Sequence, residues 1–129
     1  GYFTAVLGKL AGNVVSIEID PALSASAKKN LQSLAINNVD FQVSDATAAD
    51  FSKQKYDVIV IGCSLSAQSQ KLNELLNIGG RLFAIIGSKN KMQATLITRI
   101  NDNEWQVKSI FETHLDYMQG QEPAAVFAF

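Results

Sequence analysis

Val14-Val15-Ser16-Ile17-Glu18-Ile19-Asp20-Pro21 is the stretch on which the fold turns. Val14 to Ile19 is nearly all β-branched and apolar, as parallel strands covered on both faces tend to be. Asp20 can accept hydrogen bonds from free backbone N–H groups as an N-cap, and Pro21 fits the first helical position. The junction therefore predicts a buried strand passing directly into a helix. Leu23, Ala27, Leu31 and Leu34 follow at spacings of four, four and three, which marks one helical face. Asn37-Asn38 then supplies the stop.

The same alternation continues on both sides. Upstream, Thr4 to Ala11 reads as a short helix stopped by Gly12-Asn13. Downstream, Val39 to Val43 alternates as a strand, and Ala46 to Lys55 reads as a loop or short helix. Tyr56 to Ile61 is a second buried strand, ending at Gly62. Gln68 to Asn77 reads as a helix with Leu72, Leu75 and Leu76 inward, closed by Gly79-Gly80. Arg81 to Ile86 is a strand ending at Gly87. This order argues for an α/β domain with right-handed crossovers. The end changes character: Gln93 to Asn101 and Trp105 to Thr113 are extended, and Asn101-Asp102-Asn103 is turn chemistry, which together predict a β-hairpin. Ala124 to Phe129 reads as a further strand. The expectation is a mostly parallel sheet with antiparallel C-terminal strands, packed by Trp105, Phe111, Phe127 and Phe129.

Composition narrows the function. The 129 residues fit one domain, and 18% charged with 47% apolar residues is ordinary for a globular protein. Eleven Lys and Arg against twelve Asp and Glu give a net charge of −1, which makes no case for a nucleic-acid partner. Basic residues are scattered apart from Lys28-Lys29 and Lys89/Lys91, and no apolar run reaches membrane length, so no membrane partner is expected. The start shows no signal-peptide pattern. Cys63 is the single cysteine, and no Cys/His cluster suggests a metal. A reducing cytoplasm is the corresponding location.

Glu18 is the strongest functional candidate. It is the one charge inside a buried strand run, near the carboxyl end where nucleoside ligands sit. An ionised carboxylate accepts two hydroxyl hydrogens at once, which suits a ribose diol. Asp20 is the rival acid, but helix capping accounts for it. Cys63 reads as a small buried thiol rather than a nucleophile, because no basic partner lies near it in sequence. His114 has no acidic partner at a recognisable spacing and reads as an ordinary hairpin-end histidine.

Several segments together resemble one family. Gly1-Tyr2-Phe3-Thr4-Ala5-Val6-Leu7 looks like the tail of the glycine motif of protein-L-isoaspartate O-methyltransferases, where a Gly-x-Gly-x-Gly-Tyr run opens the first helix. Val15-Ser16-Ile17-Glu18 resembles the acidic end of their second strand, and LSASAKKNL, Leu23 to Leu31, their second helix. Ser44-Asp45-Ala46 stands where the family has Gly-Asp-Ala or Gly-Asp-Gly. Tyr56-Asp57-Val58-Ile59 and LLNIGGRLFAIIG, Leu75 to Gly87, match later strands. ITRINDNEWQVKSIFET and the final Ala-Val-Phe-Ala-Phe look most like a bacterial branch described as isoaspartate methyltransferase-like.

The resemblance implies a Rossmann-like methyltransferase fold that binds S-adenosyl-L-methionine. Gly1 would be the last glycine of the cofactor loop, with Tyr2-Phe3-Thr4 forming a helix N-terminus that faces the methionine carboxylate. Glu18, 17 residues after Gly1, then falls close to the roughly 20 expected for a ribose-binding acid, with Ile19 beside it. Asp45 would accept from the adenine amino group and the Ala46 amide would read a ring nitrogen. Gly62, followed by Cys63 and Ser64, would lie where the methyl group is transferred. The implied acceptor is a carboxylate oxygen of a damaged aspartyl residue in a protein or peptide, or else a small molecule. Carboxylate is nucleophilic without deprotonation, so no dedicated base is required, and no residue is assigned as catalytic.

Two departures stand out. The family's active-site Ser/Thr and aspartyl-binding elements lie upstream of the glycine motif, and the usual prolines after the fourth strand are replaced by Cys63-Ser64-Leu65-Ser66-Ala67-Gln68-Ser69. The chain thus reads as a single methyltransferase domain lacking its first strand and most of its glycine motif, and as inactive by itself. In a 3-2-1-4-5 sheet that strand is central. Residues before Gly1, or another chain, are expected to supply it. A non-catalytic Rossmann-like binding module and a nicotinamide-dependent oxidoreductase are the alternatives. The terminal hairpin and Ser-Asp-Ala count against the latter.

Overall fold

The structure, a computed structural model, describes residues 1–51 and 53–120. It divides into two units, Gly1–Asp50 and Phe51–Phe129. The first holds α1 (Tyr2–Leu10), β1 (Val14–Glu18), α2 (Pro21–Ser33) and β2 (Val39–Val43). β1 and β2 pair in parallel, with Val14 opposite Val39 and Glu18 opposite Val43, and α2 makes the crossover. Val14 N donates to Asn38 O and Ser44 N donates to Glu18 O. Alternation along a parallel ladder therefore aims the N–H and C=O of Val15 and Ile17 at the other edge of β1, which carries no ladder among the described residues. Ala5, Leu31 and Ile36 form the buried centre, with Val39 and Phe41 against it.

Three expectations for this unit change. α1 begins at Tyr2 rather than Thr4, because Gly1 serves as its N-cap and Ala5 N donates to Gly1 O at 3.0 Å. The inner face of α2 runs through Ser24, Ala27 and Leu31. Leu23 and Leu34 are 60% and 59% exposed, whereas Ser24 and Leu31 are buried. α2 stops at Ser33, and Ala35 adopts the left-handed conformation (φ 56°) that turns the chain. Asn38 instead holds the end of α1: its Nδ2 donates to the carbonyls of Gly8, Ala11 and Gly12 at 2.7, 2.9 and 3.1 Å.

The second unit holds β3 (Tyr56–Leu65), α3 (Gln70–Glu74), β4 (Leu76–Ser88), β5 (Lys91–Asn101) and β6 (Glu104–Thr113). The sheet order is β3-β4-β5-β6, parallel for the first pair and antiparallel for the other two. Leu65, Leu76, Leu82, Ala84 and Ile97 make its core, joined by Leu72, Trp105 and Met118. The class is α/β and Rossmann-like, with the antiparallel strands at the C-terminal end. The hairpin about Asp102-Asn103 forms as its turn chemistry predicts.

Other expectations shift here too. β3 does not end at Ile61 but continues through Gly62 to Leu65, with a register break absorbing the extra length. α3 is shorter than Gln68–Asn77. Ser69 caps its start, accepting from Leu72 N, and Leu76 has already joined β4, opposite Tyr56. Gly79-Gly80 consequently lie inside β4. Phe111 is 55% exposed on the edge strand β6 rather than packed, and Cys63 is half-buried. His114 is exposed. The expected strand Ala124–Phe129, with Phe127 and Phe129, lies outside the described residues. Among the described residues no helix is long and apolar enough to cross a membrane.

Candidate functional site

Both candidate acids stand at the carboxyl end of the β1–β2 ladder. Glu18 is the last residue of β1 and lies opposite Val43, two residues before Asp45. Glu18 is half-buried, and its Oε1 accepts from Asp20 N at 3.0 Å. Its Oε2 receives no hydrogen bond from the described residues, so one oxygen is fixed and the other available. Asp20 has the capping role: its Oδ1 accepts from Ala22 N at 2.8 Å and Leu23 N at 3.3 Å, with Pro21 at the helix start. Ile19, between the two acids, is 46% exposed.

Asp45 closes a turn. Its Oδ1 accepts from both Thr47 N at 2.8 Å and Thr47 Oγ1 at 2.7 Å, and its backbone carbonyl accepts from Ala48 and Ala49. The Thr47 hydroxyl, then the Thr47 amide, hold the Asp45 carboxyl below the ordinary carboxylate range. Asp45 is thus ionised at neutral pH, and the Ala48 amide adds a smaller effect in the same direction. Ala46 is half-buried within this turn.

Gly1 opens α1 without a side-chain cap, so among the described residues the cap position offers the first-turn N–H groups of α1 no side-chain acceptor. A Cβ at Gly1 would lie 3.2 Å from both Cα and Cβ of Ala27. The close approach that requires glycine here is to α2. Tyr2 is 86% exposed and Thr4 half-buried. These residues, with Glu18, Ile19, Asp45 and Ala46, all belong to the first unit. Gly62 belongs to the second, on β3, where it is exposed and a Cβ would meet nothing within 4 Å. Among the described residues no group of His, Cys, Asp and Glu could hold a metal ion.

Sequence reasoning places Ser64 after Gly62 and Cys63 at the methyl end but assigns it no contact. It is wholly buried on β3 and donates from Oγ to Leu115 O at 2.8 Å. A polar residue next to an apolar strand run was the available signal, but its partner is remote in sequence.

Known proteins give this geometry a family. The profile of the family Protein-L-isoaspartate(D-aspartate) O-methyltransferase (PCMT) matches residues 1–118. A Marinobacter nauticus protein named Protein-L-isoaspartate O-methyltransferase 2 is 33% identical over 123 residues, covering 95% of this chain and 56% of its own length. A Methanospirillum hungatei protein-L-isoaspartate O-methyltransferase is 36% identical over 102 residues, covering 79% of this chain and 47% of its own. A Plasmodium falciparum structure, described as a candidate protein-L-isoaspartate O-methyltransferase in complex with S-adenosyl-L-homocysteine, superposes with a TM-score of 0.73. It is 19% identical and aligns over 83% of this chain and 52% of its own. The chain spans about half the length of the curated relatives it matches. An open-edged parallel ladder with two acids at its carboxyl end, antiparallel closing strands and a profile match over nearly the whole chain lead to one conclusion: the chain belongs to the protein-L-isoaspartate(D-aspartate) O-methyltransferase family.

Proposed function

We propose that the protein to which this chain belongs transfers a methyl group from S-adenosyl-L-methionine to the carboxylate of L-isoaspartyl residues in damaged proteins, as a cytoplasmic repair enzyme. The observation that carries this reading is the pair Glu18 and Asp45. Each is half-buried at the carboxyl end of a parallel ladder, with one oxygen fixed by a backbone N–H, which orients the carboxylate for a ligand. Glu18 Oε2 would accept from the ribose hydroxyls and Asp45 Oδ2 from the adenine amino group, with Ile19 and the Ala46 amide alongside. The uncapped first turn of α1, from Gly1 through Tyr2 and Thr4, suits the methionine carboxylate. Gly62 leaves room at the methyl end.

The bound cofactor supplies an activated methyl group, and the chain's own part is orientation and exclusion of water. The acceptor carboxylate is already ionised, so this chain need not supply a base. The unpaired edge of β1 favours one further element. Val15 and Ile17 direct backbone groups there, and each such group costs about 1–3 kcal/mol if buried without a partner. A further strand is the natural occupant of that edge.

The test is calorimetric titration of the complete polypeptide with S-adenosyl-L-homocysteine, followed by labelled methyl transfer to an isoaspartyl peptide and its normal aspartyl counterpart. Binding with transfer to the isoaspartyl peptide alone is expected. Tight binding without transfer to either peptide would leave the cofactor assignment standing and sink the acceptor.

A further inference from the structure

Ser64 is polar and wholly buried at the carboxyl end of β3. It is tied to the segment after β6 through all of its polar groups. Ser64 N donates to Asp116 O, Met118 N donates to Ser64 O, and Ser64 Oγ donates to Leu115 O, each at 2.8 Å. The segment runs parallel to β3, with Tyr117 opposite Ser64. Tyr117 adds a second fastening, its hydroxyl donating to Gly87 O at 3.0 Å. Tyr117 also packs against the cluster of Ile85, Met92 and Ala94, and Met118 against the core that contains Leu65 and Leu76.

Immediately before Ser64 the β3–β4 register slips. Val60 faces Phe83 while Ser64 faces Ile85, so Ile61, Gly62 and Cys63 stand where β4 contributes Ala84 alone. A bulge of this kind turns its residues out of the ladder and re-aims them. Gly62 is exposed on it, with open space where a side chain would be.

We propose that Ser64 is a positioning residue, which locks the Leu115–Met118 segment to β3 so that this segment and the Gly62–Cys63 bulge form one rigid wall for the methyl acceptor. The inference rests on the functional reading above, which puts the acceptor at this end of β3. Ser64 is buried and acts through the backbone of its neighbours.

Three variants of the complete polypeptide test it. Ser64→Ala removes the Oγ bond, Tyr117→Phe removes the bond to Gly87, and Ser64→Thr keeps the hydroxyl. The readouts are KM and kcat for an isoaspartyl peptide, Kd for S-adenosyl-L-homocysteine, and amide exchange at Met118. Loss of one part-buried hydrogen bond should raise the acceptor KM and the Met118 exchange rate about fivefold to tenfold in Ser64→Ala, with kcat and Kd held within about twofold. Tyr117→Phe should move both readouts the same way, and Ser64→Thr should restore them. Unchanged KM and exchange overturn the proposal, as do parallel losses in KM, kcat and Kd, which mark a general structural defect. If the wild-type protein binds S-adenosyl-L-homocysteine but leaves the peptide unmethylated, the functional reading fails separately. Met118 exchange then decides for Ser64, and no change in Ser64→Ala overturns it.

Discussion

The Arg99 guanidinium lies over the Trp105 ring, 5.2 Å from its centroid, and the two residues are direct cross-strand partners in the β5–β6 hairpin. Together they finish α3. Arg99 Nη1 donates to Glu74 O at 3.2 Å and Leu76 O at 2.8 Å, and Trp105 Nε1 donates to Asn73 O at 3.0 Å. Arg99 also donates to Asn101 O and Asp102 O in the turn. Its ion pair with Asp102, at 4.0 Å to a side chain 83% exposed, adds little. Arg99→Lys keeps the charge and loses the planar fork, so it should cost about 1–3 kcal/mol in urea denaturation. Added salt should leave the wild-type stability nearly unchanged, because most of the partners are carbonyls. A strong salt dependence would return the credit to Asp102.

Glu18 and Asp20 should separate cleanly. Glu18→Ala should weaken S-adenosyl-L-methionine binding by about 1–3 kcal/mol, the loss of charge-assisted hydrogen bonds. Asp20→Ala should cost roughly 0.5–2 kcal/mol of stability through the lost cap, with affinity nearly intact. Calorimetry and thermal denaturation on both variants check this. Collapse of affinity in Asp20→Ala alone would reverse the assignment.

Asp45 sets an acid-side prediction. Its folded pKa lies below the ordinary Asp value, through the Thr47 hydroxyl first. A depressed carboxylate contributes stability that is present above its unfolded pKa and is lost as pH falls through the folded value. Thr47→Val should therefore raise the Asp45 pKa and leave the protein less stable at neutral pH, with the difference fading below the ordinary Asp range. Carboxyl-resolved NMR titration reads the pKa directly. An unmoved Asp45 pKa would show that Thr47 is not its anchor.

Gly87 joins β4 to the turn before β5 with a φ of 146°, and a Cβ there would collide with the carbonyl of Lys91. Gly87→Ala should cost about 1–3 kcal/mol from backbone strain alone. It should also raise amide exchange at Met92, its ladder partner. A variant as stable as the wild type would mean that the turn relaxes freely.

Much of the fold was legible because its signals are local. The β-branched run at Val14–Glu18, the Asp20-Pro21 start and the Asp102-Asn103 turn each act within a few residues. The length of α3 was not legible. Leu72, Leu75 and Leu76 keep helical spacing, and the side chains that donate to the last helical carbonyls stand far off in sequence, Arg99 25 residues beyond Glu74 and Trp105 32 beyond Asn73. Leu23 misled for a related reason: spacing alone could not tell that Ala27 is the residue closely packed on Gly1, with Ser24 buried and Leu23 outside. For the site, capping chemistry was enough to assign Asp20. The commitment of one Glu18 oxygen to Asp20 N depends on how the strand leaves the sheet. The role of Ser64 stayed hidden because its hydroxyl partner is 51 residues away.

The order of the strands in the second unit bears on how the chain emerges from the ribosome. β4, β5 and β6 are joined by tight turns at Lys89-Asn90 and Asp102-Asn103 and pair with their neighbours in sequence. Such hairpins close in about 1–10 μs, while synthesis adds roughly 5–20 residues per second. The meander therefore forms as fast as it is delivered. β3 has no such neighbour, because its parallel partner β4 arrives only after α3 has been made. For about a second or more of elongation, Val58-Ile59-Val60-Ile61 is an uncharged, β-branched run still without β4, the kind of segment that aggregates. Nascent chains stalled with Leu65 outside the exit tunnel but β4 still within it should be held by chaperones far more than chains stalled with Thr113 outside, and equal capture would count against this waiting step.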